Sequence, residues 1–197
     1  MLFRSGETRL VVVRLLGGRG HWSYGLEQLE AWAQASAERQ LLVLAGTAEE
    51  DEALAPLGSV PEDLTLACSR CLREGGPANW DAVFHSLRAL LAGEAVVPPE
   101  LQPLADPEIH DWREEPGPRM GVVLYRALLQ SGDLALAESL LQALREAGLA
   151  PRALWVSGLR SPAVQRGVAD LLAREGVQAV LCTTSFASVQ LEEAGLG

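Results

Sequence analysis

Apolar residues follow two rhythms along this chain: short unbroken runs, and longer stretches where they recur at every third and fourth position. The run Leu10-Val-Val-Val-Arg-Leu-Leu16 is β-branched and stopped by Gly17-Gly18, which predicts a buried strand. A loop rich in glycine and aromatic residues follows, then Leu26, Leu29 and Ala33 at helical spacing. Leu41-Leu-Val-Leu44, ending at Ala45-Gly46, predicts the next strand, and Glu49 to Glu52 reads as a solvated acidic loop. Pro61 with Glu62 and Asp63 behind it opens a second helix, because proline suits a first helical turn and acids suit its positive end. Gly75-Gly76-Pro77 stops that helix, and Asn79 is placed to cap a third, whose inner face is Val83, Leu87, Leu90 and Leu91.

Between Gly93 and Arg119 both rhythms vanish. Pro98, Pro99, Pro103, Pro107, Pro116 and Pro118 crowd this segment, which excludes a continuous helix or a central strand. The periodicity then returns. Met120 to Tyr125 predicts a strand, and Asp133 is placed to cap a helix with stripe Ala137, Leu140, Leu141 and Leu144, closed by Gly148. Ala153 to Val156 is the next strand, and Ser161-Pro162 opens a helix carrying Val164, Val168, Leu171 and Leu172. Ala179 to Cys182 is the last strand. This alternation predicts an α/β fold: two Rossmann-like units, each a parallel sheet with flanking helices, joined by a proline-rich segment. The expected boundaries are 1–94 for a first unit short of strands, 95–119 for the linker, and 120–197 for a βαβαβ unit.

Composition narrows the function. The chain has 197 residues, 48% of them hydrophobic, enough to bury a core and to exclude wholesale disorder. Its net charge of −10 argues against a general binder of nucleic acid or anionic membrane. All basic residues are arginine. Cys68, Cys71 and Cys182 are too few for a disulfide framework. No leader is expected, because charges at Arg4 and Glu7 fall where a secretory signal needs apolar residues. The uncharged stretch Gly176 to Leu191 is too short for a bilayer. The expectation is a soluble, cytoplasmic protein.

Candidate chemistry lies at strand ends. Gly17-Gly-Arg-Gly-His-Trp-Ser-Tyr-Gly25 follows a strand and precedes a helix, where α/β folds place ligand loops; a helix N-terminus there favours an anion. The dinucleotide fingerprint fails at Ser23, and a chain with no lysine has no P-loop. Tyr125-Arg126 and Gly132-Asp133 mark a second rim, with Thr183, Thr184, Ser185 and Phe186 ending the last strand. The candidate substrate contacts are Gly17, Gly18, Arg19, Tyr24, Arg126 and Asp133; no catalytic residue is identified. Cys68-x-x-Cys71 looks like half a metal motif, yet Leu64, Cys68, Cys71 and Leu72 share one helical stripe, so core packing is expected and no metal site. His85 would be the nearest further ligand. His110 is expected at the surface.

Two stretches resemble a known family. Val11 to Glu30 and Val123 to Asp133, with Arg73-Glu-Gly-Gly-Pro-Ala-Asn79 between them, are similar to the amino-terminal region of the CobN-type large subunit of aerobic cobaltochelatase, within the wider magnesium chelatase family. The motif positions are Arg14, Gly17, Gly18, Arg19, Trp22, Tyr24, Gly25, Tyr125, Arg126, Gly132 and Asp133. Ser23 departs from the pattern where a proline is common, and Cys182-Thr-Thr-Ser185 replaces an Asn-Ala-Thr-like strand end. The resemblance implies a ligase subunit that holds a tetrapyrrole (a corrin) while Co²⁺ is inserted in cobalamin biosynthesis. It also implies an AAA+ ATPase and accessory chelatase subunits as partners, with ATP bound by them and no cofactor held by this chain. Family members are far longer, so this piece is expected to be inactive alone. The alternatives are a magnesium chelatase H-like component, a metal chaperone using Cys68, Cys71 and His85, and a non-catalytic interaction module left by a shortened gene.

Overall fold

A computed structural model describes residues 7–47 and 51–184. The chain forms two compact units, Met1–Pro103 and Leu104–Gly197, both mixed α/β.

In unit 1, strands β1 (Leu10–Leu15) and β2 (Gln40–Ala45) pair in parallel, with Val11 opposite Leu41 and Leu15 opposite Ala45. Residues alternate in direction along a strand, so β2 feeds two cores. Leu41 and Val43 pack with Leu26, Leu29 and Ala33 of α1 (Ser23–Gln34), while Leu42 and Leu44 pack with α2 (Glu62–Glu74) and α3 (Pro77–Ala92). Strand β2 is therefore apolar and buried from Leu41 to Ala45, as expected of a parallel strand covered on both faces. The α2 stripe lies inward as its spacing predicts: Leu64, Cys68, Cys71 and Leu72 are all buried.

Two expectations need correction in α3. Its N-cap is Gly76, with Pro77 in the first turn, and Asn79 makes no cap. Asn79 instead lies inside, together with Ser86, on the face predicted to be purely apolar. Both polar side chains hold residues 96–102. Ser86 Oγ donates to the Val97 carbonyl at 2.9 Å, and Asn79 binds the backbone of Gln102. The first part of the proline-rich segment is thus a strap on unit 1.

Its second part belongs to unit 2. Glu108–His110 forms β3, which runs antiparallel to β5 (Ala150–Val156). Sequence periodicity misses β3 because it is three residues long and follows Pro107. Strand β4 (Arg119–Tyr125) pairs in parallel with β5 on one side and β6 (Ala179–Cys182) on the other, giving the order β3-β5-β4-β6. One face carries Val122, Leu124, Ala153 and Trp155 against α5 (Ala135–Glu146), and the other carries Val123, Leu154 and Val156 against α6 (Pro162–Arg174). A short helix unforeseen in the sequence, α4 (Arg126–Ser131), lies between β4 and α5. Asp133 does not cap α5: no side-chain cap bond forms there. The Ser161 hydroxyl makes none on α6 either. No helix among the described residues is long and apolar enough to cross a membrane.

Candidate functional site

The carboxyl ends of parallel strands, where open α/β sheets receive ligands, carry most of the residues singled out above. In unit 1 the loop leaving β1 turns through Gly17 and Gly18, with φ of 92° and 75°, in the left-handed region that favours glycine. A Cβ on Gly17 would stand 2.7 Å from His21 Nδ1, and one on Gly25 would collide with the Trp22 indole. The sequence reads these glycines as room for an approaching ligand. At Gly17 and Gly25 the loop's own aromatic rings occupy that room.

Arg19–His21 forms one 3-10 turn before α1. Arg19 points toward Glu30, Nη2 to Oε1 at 4.0 Å, with its side chain 56% exposed. Tyr24 is 73% exposed in the first turn of α1. Beside the glycines a cleft of about 260 Å³ opens at the ends of β1 and β2. Leu15, Ala45 and Leu54 form its apolar part, Gly17 and Gly18 its rim, and Thr47 and Asp51 its polar side chains. Arg19 and Tyr24 do not line it. Among the described residues that line it the charged side chain is Asp51, negative where the sequence reading placed a cation in this loop.

In unit 2, Arg126 is 16% exposed at the end of β4, with Nη1 3.8 Å from Asp106 Oδ2 and donating to the Ala105 carbonyl at 3.4 Å. The same carboxylate accepts the Ser157 amide at 3.2 Å and the Ser157 hydroxyl. Extending the β3–β5 register by two residues puts Asp106 opposite Ser157. Neither residue is singled out by the sequence, since only that register brings the two together. Gly132 ends α4 with φ 75°, and the Asp133 amide donates to the Leu128 carbonyl at 3.0 Å. Asp133 is therefore separated from the strand end by the six residues of α4, about 9 Å of helix, and is exposed. Thr183 donates through its amide and its hydroxyl to the Val123 carbonyl, each at 3.0 Å, stitching β6 to β4. Thr184 Oγ1 lies 3.0 Å from Cys182 Sγ. Ser185 and Phe186 fall outside the described residues.

Two further expectations resolve differently. His110 is not a surface residue: it is half-buried on β3, its ring edge-on to Trp155 with centroids 5.2 Å apart. Burial lowers its pKa below the ordinary histidine value, against the pull of Asp111 and Glu138. Cys68 and Cys71 are fully buried in the unit 1 core, and desolvation pushes the Cys68 thiol up to about 12. Among the described residues no group of three or more His, Cys, Asp or Glu could hold a metal ion, so His85 does not complete a site with the two thiols. The arrangement at both edges suits binding through fixed donors and acceptors.

Comparison with known proteins now decides the family. The sequence model described as CobN/Magnesium Chelatase matches residues 69–196, most of the chain. This chain belongs to the CobN/magnesium chelatase family. It is 28% identical over 194 residues to the aerobic cobaltochelatase subunit CobN of Pseudomonas aeruginosa, covering 92% of this chain but 15% of that protein. It is 30% identical over 204 residues to the CobN subunit of a Sinorhizobium species, covering 92% and 16%. The solved catalytic subunit of cobaltochelatase from Mycobacterium tuberculosis shares the fold, with a TM-score of 0.72 over 89% of this chain and 14% of that one, at 24% identity. The chain thus spans a small part of the length of its CobN relatives.

Proposed function

We propose that the chain works as an amino-terminal portion of a CobN-type cobaltochelatase large subunit, contributing edge contacts to a corrin while Co²⁺ is inserted as substrate. The observation that supports this reading is that Gly17, Gly18, Tyr125 and Arg126, positions of the CobN-like sequence motifs, lie at the carboxyl ends of β1 and β4, in a chain of this family. A macrocycle calls for a cleft of several hundred Å³, and the unit 1 cleft, about 260 Å³, is too small to enclose one. The ring's other contacts then fall to the rest of a large subunit, and this piece has little or no chelatase activity alone. ATP is bound and hydrolysed by a separate AAA+ subunit acting with accessory subunits in the cytoplasm.

Titrating the chain with a carboxylated corrinoid and following the corrin absorbance tests this. A saturable shift is expected, weakened in Arg19→Ala and Tyr24→Ala, whose exposed side chains leave the fold alone. Stronger binding of a porphyrin than of the corrin would redirect the reading to a magnesium chelatase H-like role. No shift up to about millimolar ligand, a free energy near −4 kcal/mol, would overturn it.

A second reading, assembly with other chelatase chains, is favoured by apolar side chains left exposed on two parallel strands. Val12 on β1 and Val180 on β6 are 38% and 55% exposed, although parallel strands are ordinarily covered. Co-elution of the chain with the purified ATPase and accessory subunits would support it, and independent elution would exclude it.

A further inference from the structure

The cleft at the ends of β1 and β2 has chemistry that a carboxylated macrocycle does not explain. We infer that it is a separate site for an uncharged ring bearing a vicinal diol, a ribose-type sugar either free or within a nucleoside, with Asp51 accepting its hydroxyls.

Four observations converge. First, the order of parts is strand, glycine loop, helix, strand, acid: β1, Gly17-Gly18, α1, β2 and Asp51. Dinucleotide folds share this order and use an acid after the second strand for ribose hydroxyls. Here the glycine fingerprint is broken at Ser23 and Asp51 stands six residues past the end of β2, so the order offers the acid without the phosphate loop.

Second, the Asp51 carboxylate is oriented. Its Oδ1 accepts the Ala53 amide at 3.2 Å, while Oδ2 faces the rim, 3.3 Å from where a Gly18 Cβ would stand. Glycine at position 18 keeps that approach open.

Third, none of the described residues that line the cleft is a cation. Arg19 is turned to Glu30 and does not line it, so a phosphate entering would meet Asp51 without a counter-charge. The α1 N-terminus offers no substitute, since the 3-10 turn Arg19–His21 intervenes and the His21 ring lies on Gly17. This separates the site from a dinucleotide site, whose pyrophosphate sits on that helix end.

Fourth, size and polarity suit a sugar ring. A volume of about 260 Å³ with an apolar part of Leu15, Ala45 and Leu54 fits the C–H face of a ring, with Thr47 and Asp51 for its polar edge. A sugar in this cleft leaves a corrin the outer side of the loop, where Arg19 and Tyr24 stand clear of the cleft, so the Asp51 variants test this inference and the Arg19 and Tyr24 variants test the corrin reading.

The test is binding of adenosine, ribose, 2′-deoxyadenosine and AMP to the full chain, by isothermal titration and saturation-transfer NMR. Adenosine or ribose is expected to bind, and their ratio distinguishes a nucleoside from a free sugar. Loss of the 2′-hydroxyl, leaving Asp51 short of a donor, should weaken binding by about tenfold or more. Asp51→Ala should abolish the signal while leaving the circular dichroism spectrum and the melting temperature near those of the parent. Asp51→Glu, which keeps the acceptor, should retain part of it. Absence of binding by both adenosine and ribose at about 10 mM, equal affinity for the deoxy compound, AMP binding as tightly as adenosine, or an undiminished signal in Asp51→Ala would each overturn the assignment.

Discussion

The carboxamide of Asn79 grips the backbone of Gln102 from both sides: Nδ2 donates to the Gln102 carbonyl at 2.8 Å, and Oδ1 accepts the Gln102 amide at 2.9 Å. Nδ2 also donates to the Gly75 carbonyl at 2.7 Å, so one fully buried side chain ties the end of α2 to a strap 23 residues further on. Asn79→Ala removes three bonds and leaves a buried carbonyl short of a partner. The expected loss is about 2 kcal/mol, read as a lower denaturation midpoint. Fast exchange of the Gln102 amide should accompany it. An unchanged midpoint would mean that the strap is held by other contacts.

His110 makes the stability of unit 2 depend on pH in the acid range. Its pKa is lowered in the folded chain, chiefly by burial, so the native state holds it neutral. The unfolded chain takes up a proton near the ordinary value of about 6.5. This contribution is therefore complete above that pH and declines as pH falls through it toward the lower folded value. Asp111, Glu138, Arg145 and Arg113 surround the ring. Denaturation midpoints at pH 7.5 and pH 5.5 check this: the parent should lose more stability than His110→Gln, and equal slopes would contradict it.

Arg152, 1% exposed on β5, donates through Nε to Glu175 Oε2 at 2.8 Å. Glu175 is 29% exposed and also lies 3.7 Å from Arg119, but its removal strands the charge of the buried Arg152 guanidinium, whereas replacing that cation by a hydrocarbon of similar volume strands nothing buried. Glu175→Ala should therefore cost about 2 kcal/mol, and Arg152→Met distinctly less. Equal losses would show that the packing of the arginine stem matters more than its charge.

Thiol chemistry should divide along burial. Cys182 is exposed, while Cys68 and Cys71 are buried and both thiols have raised pKa values. A thiol held protonated reacts slowly. A native-state thiol assay should find Cys182 reacting fast, with Cys68 and Cys71 appearing only after denaturation. Fast labelling of either buried thiol would remove the core placement.

Gly25→Ala should disturb the β1 loop without unfolding unit 1. The new methyl collides with the Trp22 ring, and that ring, 40% exposed, has somewhere to go. A red-shifted tryptophan emission and a cost of about 1 kcal/mol are expected. Emission identical to the parent would contradict the stacking of Trp22 on Gly25.

The elements that carry their own signal were legible in advance. Leu26, Leu29 and Ala33, or Val164, Val168 and Leu172, mark one face of a helix by spacing alone, and each lies inward. The runs at Leu41 and Val122 announce strands for the same reason. What stayed hidden depends on partners distant in sequence. Asn79 looks like a cap because Asn after a Gly-Gly break commonly is one, and nothing nearby reveals Gln102. Strand β3 has three residues and no periodicity, and His110 looks exposed until β3 pairs with β5. Arg126 reads as available for ligand, while its neighbour Asp106 becomes visible only through that pairing.

Local rhythm and turn residues were enough to determine an α/β chain, because hydrophobic spacing fixes which face of an element must leave water; the family was legible separately, through the resemblance of the motifs around Gly17 and Arg126. Tertiary structure alone decided the direction of polar side chains: Asn79 inward onto a strap, Asp51 into a cleft, Arg126 onto Asp106. Those directions come from hydrogen bonds and ion pairs across folded elements, and such bonds do not exist until the backbone has brought their ends together.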